Sequence, residues 1–249
     1  MRRPLALLCS LTLTAGLAAC GSDSKKKTPG QAAEKPATAT QSRPASTATA
    51  PARPAPPTCR KVAAPRPKPA RRVPRPTLRL DPKRAYEAVF DTSCGQMSIV
   101  LDVKDSPKTS ASFVHLARRG YFDGTIFHRV VPGFVIQGGD PQATGEGGPG
   151  YEVVEPPPAD TRYVKGVVAM AKTEIDDPGT SGSQFYIVTG EDAQLPPEYA
   201  VLGSVSAGQD VADLIGALPT DQGNPDPSRR ERPVQPVVIR TVRIVERKK

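Results

Sequence analysis

The chain has 249 residues and 29 prolines, and its 34 Lys and Arg against 25 Asp and Glu give a formal net charge of +9. Residues 21–84 carry a net charge of +13 and no aromatic residue, whereas residues 85–249 carry −6 and all twelve aromatic residues. This division excludes two large folded domains. The acidic 85–249 region also argues against a nucleic-acid-binding domain, although the overall pI near 9.5 would suggest one.

The amino terminus has the pattern of an export signal. Two arginines precede an apolar stretch, Leu5–Ala19, that is shorter than the ~20 residues of a membrane-spanning helix. The stretch ends in Leu17–Cys20, which resembles the lipobox where bacterial lipoprotein signals are cut before an acylated cysteine. We therefore expect a signal peptide over residues 1–19, lipidation at Cys20, and an exported protein anchored to the outer face of the bacterial cell membrane. An ordinary signal peptide or an uncleaved anchor is the alternative.

Residues 20–84 have the composition of a linker. They contain many Pro, Ala, Lys and Arg residues, and after residue 20 their only large aliphatic residues are Val62, Val73, Leu78 and Leu80. So little apolar surface cannot offset the entropy of ordering the backbone. We predict a lipid-anchored, disordered linker over 20–84 and one domain over 85–249. The linker lacks the aromatic residues of a single-strand binder, so specific nucleic-acid binding is disfavoured.

Two cysteines remain for the exported protein, because Cys9 leaves with the signal and Cys20 is acylated. Cys59 and Cys94 in an oxidising compartment predict one disulfide, and two free thiols are the alternative. The chain has only two histidines and no CxxC motif, so neither a metal site nor a cofactor is predicted.

From residue 86 the chain is predicted to be mostly strands. Tyr86–Phe90 and Gln96–Leu101 form a first pair, and Ser106–Gly120 has the pattern of an amphipathic helix. Short apolar runs then predict strands at Ile126–Val131, Phe134–Gln137, Gly166–Ala171, Gln184–Val188 and Ala200–Val205. A second helix at Gln209–Ala217 precedes a last strand at Val237–Val245. This order favours an antiparallel sandwich or closed barrel.

Two short motifs do not carry a function. Gly145–Gly150 matches the GxGxxG pattern of dinucleotide sites, but it contains Pro149 and no helix is predicted after it. A hydrolase triad of Ser183, His128 and Asp140 lacks the GxSxG elbow of such enzymes. We interpret the glycine run as a flexible loop.

A longer motif is specific. Phe127–Asp140, with the sequence FHRVVPGFVIQGGD, resembles the signature of the cyclophilins, a family of peptidyl-prolyl cis-trans isomerases. Further segments that resemble the family follow in the same order: Thr144–Gly148, Gly166–Ala171, Gly182–Ile187 and Tyr199–Gly203. The resemblance covers about residues 86–246. It implies an all-β fold, a closed eight-stranded antiparallel β-barrel with two capping helices.

The resemblance also implies a function, which is to catalyse X-Pro bond rotation and so to assist the folding of exported proteins. Rotation about an X-Pro bond faces a barrier of ~18–20 kcal/mol because amide resonance resists twisting. An enzyme needs only to bind the twisted amide better than either planar isomer. By resemblance Arg129 is the catalytic residue, and its rigid guanidinium is aimed at the prolyl nitrogen.

The same resemblance assigns the substrate-binding residues, which are His128, Phe134, Val135, Gln137, Ala171, Lys172, Gln184, Tyr186, Leu195 and Tyr199. Phe134, Val135, Tyr186 and Leu195 would form an apolar pocket for the proline ring. Gln137 would hold the guanidinium of Arg129 in place. Val135, Tyr186 and Lys172 stand where the family usually has Met, Phe and Asn. The implied partners are proline-containing polypeptides, and the protein is expected to be a monomer.

A second function class remains open at the level of sequence. A polypeptide-binding holdase or wall-associated scaffold, with vestigial isomerase activity, would have the same pocket. Nucleic-acid binding by the basic linker is a third hypothesis, which requires an affinity that falls steeply with salt.

Overall fold

The computed structural model describes residues 57–248. The predicted signal peptide, Cys20 and the linker up to residue 56 therefore lie outside the described residues. Within the described part of the chain, no helix is long and apolar enough to cross a membrane.

Short strands dominate the chain from residue 84 onward. In chain order the elements are β1 (Arg84–Thr92), β2 (Gly95–Leu101), α1 (Pro107–Ala117), β3 (Thr125–Ile126), β4 (Arg129–Val131), β5 (Val135–Gly138), β6 (Val153–Val154), β7 (Val167–Met170), β8 (Thr180–Ser181), β9 (Phe185–Val188), β10 (Val201–Ala207), α2 (Gln209–Gly216) and β11 (Val238–Lys248). One turn of 3₁₀ helix, Pro227–Arg229, lies before β11. The all-β class with two helices is thus confirmed.

Nine of these strands form one antiparallel sheet in the order β3-β11-β1-β2-β10-β7-β9-β5-β4, and β6 pairs separately with β8. The predicted run Ile126–Val131 is divided in the structure into β3 and β4. At the division, the Phe127 N–H donates to Val237 O and the His128 N–H donates to Gln137 O. The chain therefore passes from β3, at one end of the strand order, to β4, at the other end. Because this run counts as two strands, the curled sheet has nine strands where eight were predicted.

The strands near the site have two different faces because side chains alternate along a strand. On β9, Phe185 and Ile187 lie in the main core, whereas Tyr186 and Val188 belong to a second apolar cluster. On β5, Ile136 also lies in the main core, whereas its chain neighbours Val135 and Gln137 do not. One face of this part of the sheet thus builds the interior, and the other is free to build a site.

Helix α1 covers the core with Phe113, Val114 and Leu116, none of which is exposed. Ser106 occupies its N-cap position without a side-chain capping bond. Glu155 caps the helix from outside, since its carboxylate accepts from the Lys108 and Thr109 N–H groups at 3.0 and 2.7 Å. A carboxylate at this end satisfies free N–H groups and complements the helix dipole.

Residues 57–83, which we name the N-terminal strap, differ from the predicted disordered linker. They contain no helix or strand before β1, yet they lie along the domain. Cys59 is bonded to Cys94, which is the predicted pairing. Backbone bonds continue the attachment, from the Lys68 N–H to Pro141 O at 2.9 Å and from the Val73 N–H to Pro149 O at 2.8 Å.

The few aliphatic residues of the N-terminal strap explain why it is attached. Val73 is buried in the main core, and Leu78 and Leu80 pack against that core. The Pro74 carbonyl oxygen is 3.0 Å from His115 Nε2 on α1. Few apolar anchors are sufficient here, because a disulfide and a preformed domain surface reduce the entropy that each must offset.

Candidate active site

The site begins with a row of paired residues across four strands. Arg129 on β4 is the register partner of Gln137 on β5, Gln137 of Tyr186 on β9, and Tyr186 of Ala169 on β7. Directly paired residues in a sheet place their side chains on the same face. A cation, an amide and a phenol ring are thereby brought together from chain positions almost 60 residues apart.

This row forms part of a cavity of about 260 Å³. Nine of the eleven residues assigned from the sequence line it: Arg129, Phe134, Val135, Gln137, Ala171, Lys172, Tyr186, Leu195 and Tyr199. Val135 and Tyr186 are 2% and 4% exposed, so the cavity has well-packed apolar walls. The two remaining residues, His128 and Gln184, lie outside its lining.

Arg129 is held by polar groups at two points. Its Nε donates to the Glu231 carboxylate at 2.5 Å, and its Nη1 lies 3.4 Å from Gln137 Oε1. Nη2 forms no hydrogen bond within residues 57–248. Arg129 lines the cavity with about a third of its side chain exposed, so its guanidinium keeps donors for a ligand.

Gln137 connects Arg129 to the glycine-rich loop. Its Nε2 donates to Gln184 Oε1 at 2.9 Å, and Gln184 Nε2 donates to the carbonyl oxygens of Gly145 and Gly147 at 2.7 and 3.0 Å. Gln184 thus orients Gln137 from outside the cavity. Its own position is fixed by the backbone of the loop.

Asp140 organises that loop and does not act as a triad member. Its carboxylate is fully buried and accepts from the N–H groups of Gln142, Thr144 and Gly145 at 2.7 to 2.8 Å. Burial raises the pKa of Asp140, but these backbone hydrogen bonds outweigh it and hold that pKa below its ordinary value. The loop also contains no helix, so the structure offers no dinucleotide site at Gly145–Gly150.

His128 does not line the cavity and is 6% exposed. Neither ring nitrogen forms a hydrogen bond within the described residues. Burial lowers the pKa of His128 to about 4, Asp140 opposes this shift, and Arg232 and Arg129 contribute to it. The ring is therefore neutral at pH 7, and the structure places it as a packing residue next to Arg129.

Lys172 joins two loops at the rim of the cavity. Its Nζ lies 3.2 Å from Glu198 Oε2 and 5.5 Å from the centre of the Tyr199 ring, and its side chain is only 3% exposed. The backbone N–H and C=O of Lys172 form no hydrogen bond within residues 57–248. They remain available to an extended ligand.

A second cavity, of about 600 Å³, adjoins the first. The two share Gln137, Ala171 and Lys172, and the second is also lined by Gln184 and by Arg75 of the N-terminal strap. Within residues 57–248 no group of three His, Cys, Asp or Glu side chains could hold a metal ion.

Sequence reasoning missed three residues of this region. Glu231 contacts Arg129, Arg75 lines the second cavity, and Tyr163 supports the rim. The Tyr163 hydroxyl donates to Tyr199 O at 2.7 Å and accepts from the Tyr199 N–H at 2.9 Å. None of the three belongs to a motif. Only Tyr163, as an aromatic residue, could have been recognised from the sequence as a candidate for a buried position.

The comparisons with known proteins agree with this geometry. Residues 88–244 match the family described as cyclophilin type peptidyl-prolyl cis-trans isomerase/CLD. The chain therefore belongs to the cyclophilin family, and its enzymatic activity is peptidyl-prolyl cis-trans isomerisation.

Two bacterial relatives illustrate the match. The probable peptidyl-prolyl cis-trans isomerase A of Mycobacterium leprae is 37% identical over 175 residues, which cover 63% of this chain and 91% of that protein. The peptidyl-prolyl cis-trans isomerase B of Streptomyces anulatus is 38% identical over 173 residues, which cover 62% of this chain and 94% of that protein.

Solved structures also match the fold. A cyclophilin type isomerase from Cryptosporidium parvum aligns with a TM-score of 0.58 at 30% identity, over 65% of this chain and 98% of the other. A second crystal structure of that enzyme, obtained in the presence of the dipeptide Ala-Pro, aligns with a TM-score of 0.57 at 30% identity, over 64% of this chain and 98% of the other.

Proposed function

We propose that Arg129 accelerates the rotation by stabilising the twisted X-Pro amide. The observation that carries this proposal is a guanidinium with an unpaired Nη2 that lines a cavity of about 260 Å³, beside the apolar side chains of Phe134, Val135 and Leu195. When the amide twists, resonance is lost and the prolyl nitrogen gains a lone pair, which accepts a hydrogen bond from the guanidinium. The planar isomers lack this lone pair, so the interaction favours the transition state.

The apolar walls hold the proline ring while the preceding residue rotates. Phe134, Val135, Tyr186 and Leu195 line the cavity, and burying an aliphatic ring there contributes roughly 2 kcal/mol to binding. The free backbone groups of Lys172, next to Ala171, pair with the peptide chain. Gln184 supports Gln137, which holds Arg129 and the substrate carbonyl. His128 and Tyr199 complete the back and the rim of this site.

The experiment is a peptide isomerisation assay on Arg129 variants. Arg129→Ala is expected to reduce kcat/KM by two to three decades, or about 3–4 kcal/mol of transition-state stabilisation. Arg129→Lys should recover little, because an ammonium lacks the planar fork. Peptide affinity, measured separately by calorimetry, should change much less, since the apolar walls remain.

The same variants test the holdase hypothesis. Equal losses of binding and rate in Arg129→Ala would contradict the transition-state role and favour a peptide-binding protein. Wild-type activity in that variant would exclude Arg129 from the mechanism.

We further propose that the enzyme is exported and lipid-anchored through Cys20, where it assists the folding of other exported proteins. Three features support this proposal: the Leu17–Cys20 motif, the basic and apolar segment before it, and the Cys59–Cys94 bond. Disulfides persist mainly in oxidising compartments outside the cytosol.

Two points of architecture belong to the same proposal. We propose action as a monomer, because the nine residues that line the cavity enclose it without a residue from a second copy. A closed eight-stranded barrel is supported by the positions of β3 and β4, which end the strand order on opposite sides and are separated only by Phe127 and His128.

A further inference from the structure

Glu231 contacts the guanidinium of Arg129 from outside every sequence motif. It lies in the segment between α2 and β11, 102 residues after Arg129 in the chain. Its carboxylate Oε2 accepts from Arg129 Nε at 2.5 Å. Glu231 and Arg129 have side chains that are 42% and 35% exposed, so water reaches the contact and its Coulomb energy adds little stability.

Glu231 is also attached through its backbone. Its carbonyl oxygen accepts from the N–H of Val130, the residue after Arg129, at 2.7 Å. On its other side, the Arg232 guanidinium donates to Ala143 O in the glycine-rich loop, and the Asp221 N–H donates to Arg232 O at 2.9 Å. The carboxylate thus has a defined position relative to β4 before it bonds Arg129.

The bond at Nε has a geometric effect on the whole guanidinium group. It fixes rotation about the last side-chain torsion, and so it fixes the plane of the guanidinium and the direction of both Nη groups. Gln137 alone would fix the plane poorly, because its contact to Nη1 is 3.4 Å long, beyond the usual range for an N–H···O bond. Nη2 then remains without a hydrogen-bond partner within residues 57–248.

We propose that Glu231 is the positioning residue for Arg129: its carboxylate orients the guanidinium so that the free Nη edge faces the prolyl nitrogen. This inference rests on the proposed role of Arg129. It assigns Glu231 an effect on the rate of rotation and none on peptide binding, since Glu231 does not line the cavity.

The test separates kcat from KM for two variants of the full chain in a peptide isomerisation assay. Glu231→Ala is expected to lower kcat about tenfold with KM unchanged, because misplaced catalytic groups lose rate even when binding remains. Glu231→Gln should recover most of the activity, since its amide oxygen still accepts from Nε. Unchanged or higher kcat in Glu231→Ala would overturn the proposal, as would a loss that appears only in KM or a Gln variant as inactive as the Ala variant.

Asp91→Ala is the matched control. Asp91 forms a similar surface ion pair with Arg240, at 3.3 Å, and the side chains of Asp91 and Arg240 are 44% and 37% exposed. Neither residue lines the cavity. Its removal should leave kcat and KM as in the wild type. If Asp91→Ala lowers kcat as much as Glu231→Ala, loss of a surface ion pair alone explains the result and the proposal is wrong. Thermal unfolding of both variants verifies the fold.

A double variant separates this inference from the role of Arg129. In an Arg129→Ala background, Glu231→Ala should cause no further loss, because residues that act as one unit are not additive. If Arg129→Ala itself retains full activity, the proposed role of Arg129 fails and this inference fails with it. If Arg129→Ala is impaired but Glu231→Ala is not, only the positioning role is wrong.

Discussion

His128 and Arg129 are neighbours in the chain with opposite environments. His128 is buried and neutral at pH 7, whereas Arg129 lines the cavity with a cationic guanidinium. Rotation about an amide requires no proton transfer, so a permanent cation suits the chemistry better than a titrating one.

The burial of His128 has a consequence for stability in acid. Its folded-state pKa of about 4 lies below its ordinary value of 6.5, so protonation favours the unfolded chain. Stability is fully present above about pH 6.5 and decreases as the pH falls towards 4, by about 2 kcal/mol between pH 7 and pH 5. Urea unfolding of wild type and His128→Gln at these two pH values should show a smaller decrease in the variant.

His115 provides the comparison for that experiment. Burial and the nearby Arg119 also lower the pKa of His115, so part of the acid sensitivity should remain in His128→Gln. An identical pH dependence in wild type and His128→Gln would show that His128 has the same pKa in the folded and unfolded chain, which would contradict the burial effect.

Tyr186 replaces the phenylalanine usual in the family with a buried phenol. Its hydroxyl has no hydrogen-bond partner within residues 57–248, and burial raises its pKa. An unsatisfied buried hydroxyl costs about 1–3 kcal/mol, so Tyr186→Phe should increase the free energy of unfolding by about 1 kcal/mol. Its kcat/KM should stay close to that of the wild type. Chemical denaturation and the isomerase assay measure both effects.

Tyr163→Phe is the matched control for this prediction. The Tyr163 hydroxyl makes two bonds to the Tyr199 backbone, so its removal should destabilise the protein by about 1 kcal/mol or more. Destabilisation in both variants would indicate that the Tyr186 hydroxyl has a partner, such as a bound water.

At the scale of elements, alternation and turn residues predicted most of the sheet. Strands such as β2 and β9 agree with their apolar runs within one or two residues, and both helices agree closely. The small β6–β8 pair has two residues per strand, too few for any periodicity. Composition also failed at the N-terminal strap, because a proline-rich average conceals single anchors such as Val73.

The candidate site shows the same limit. A continuous motif supplied Arg129, Phe134 and Gln137 because neighbouring strands β4 and β5 are joined by a short turn. Glu231 approaches from a distant segment that has no regular pattern, between arginines that give it no distinctive context. Contacts of this kind depend on the tertiary path of the chain, which local sequence does not encode.

The Cys59–Cys94 bond should contribute measurably to stability, since it closes the N-terminal strap onto the β1–β2 turn. For a sequence separation of 35 residues, the chain-entropy account gives about 3–4 kcal/mol. Cys59→Ser should lower the free energy of unfolding by up to this amount. Reduction of the wild type should have the same effect, and intact mass without reductant reports the bond directly. Two alkylatable thiols in protein isolated from its native compartment would contradict the pairing.

At the scale of the whole molecule, the attached N-terminal strap would leave a shorter linker between the domain and the membrane if the chain is anchored at Cys20 as proposed. Residues 21–56 remain between Cys20 and the strap. Extended as their proline content predicts, at ~3.1 Å per residue, these 36 residues would reach about 110 Å. The basic residues of the strap would then be presented by the domain itself and not by a free tether.

Membrane attachment through Cys20 is the prediction on which this arrangement depends. One acyl chain binds a membrane only marginally, so stable anchoring requires that cleavage and acylation give at least two chains at this cysteine. Cys20→Ser should therefore move the protein from the membrane to the soluble exported fraction, as judged by fractionation and immunoblotting, with its isomerase activity intact. Cys9→Ser is the matched control: it lies in the same apolar segment but before the cleavage site, so it should stay with the membrane. If the wild-type protein in the membrane keeps its full precursor mass, the segment is an uncleaved anchor and the lipoprotein hypothesis is wrong.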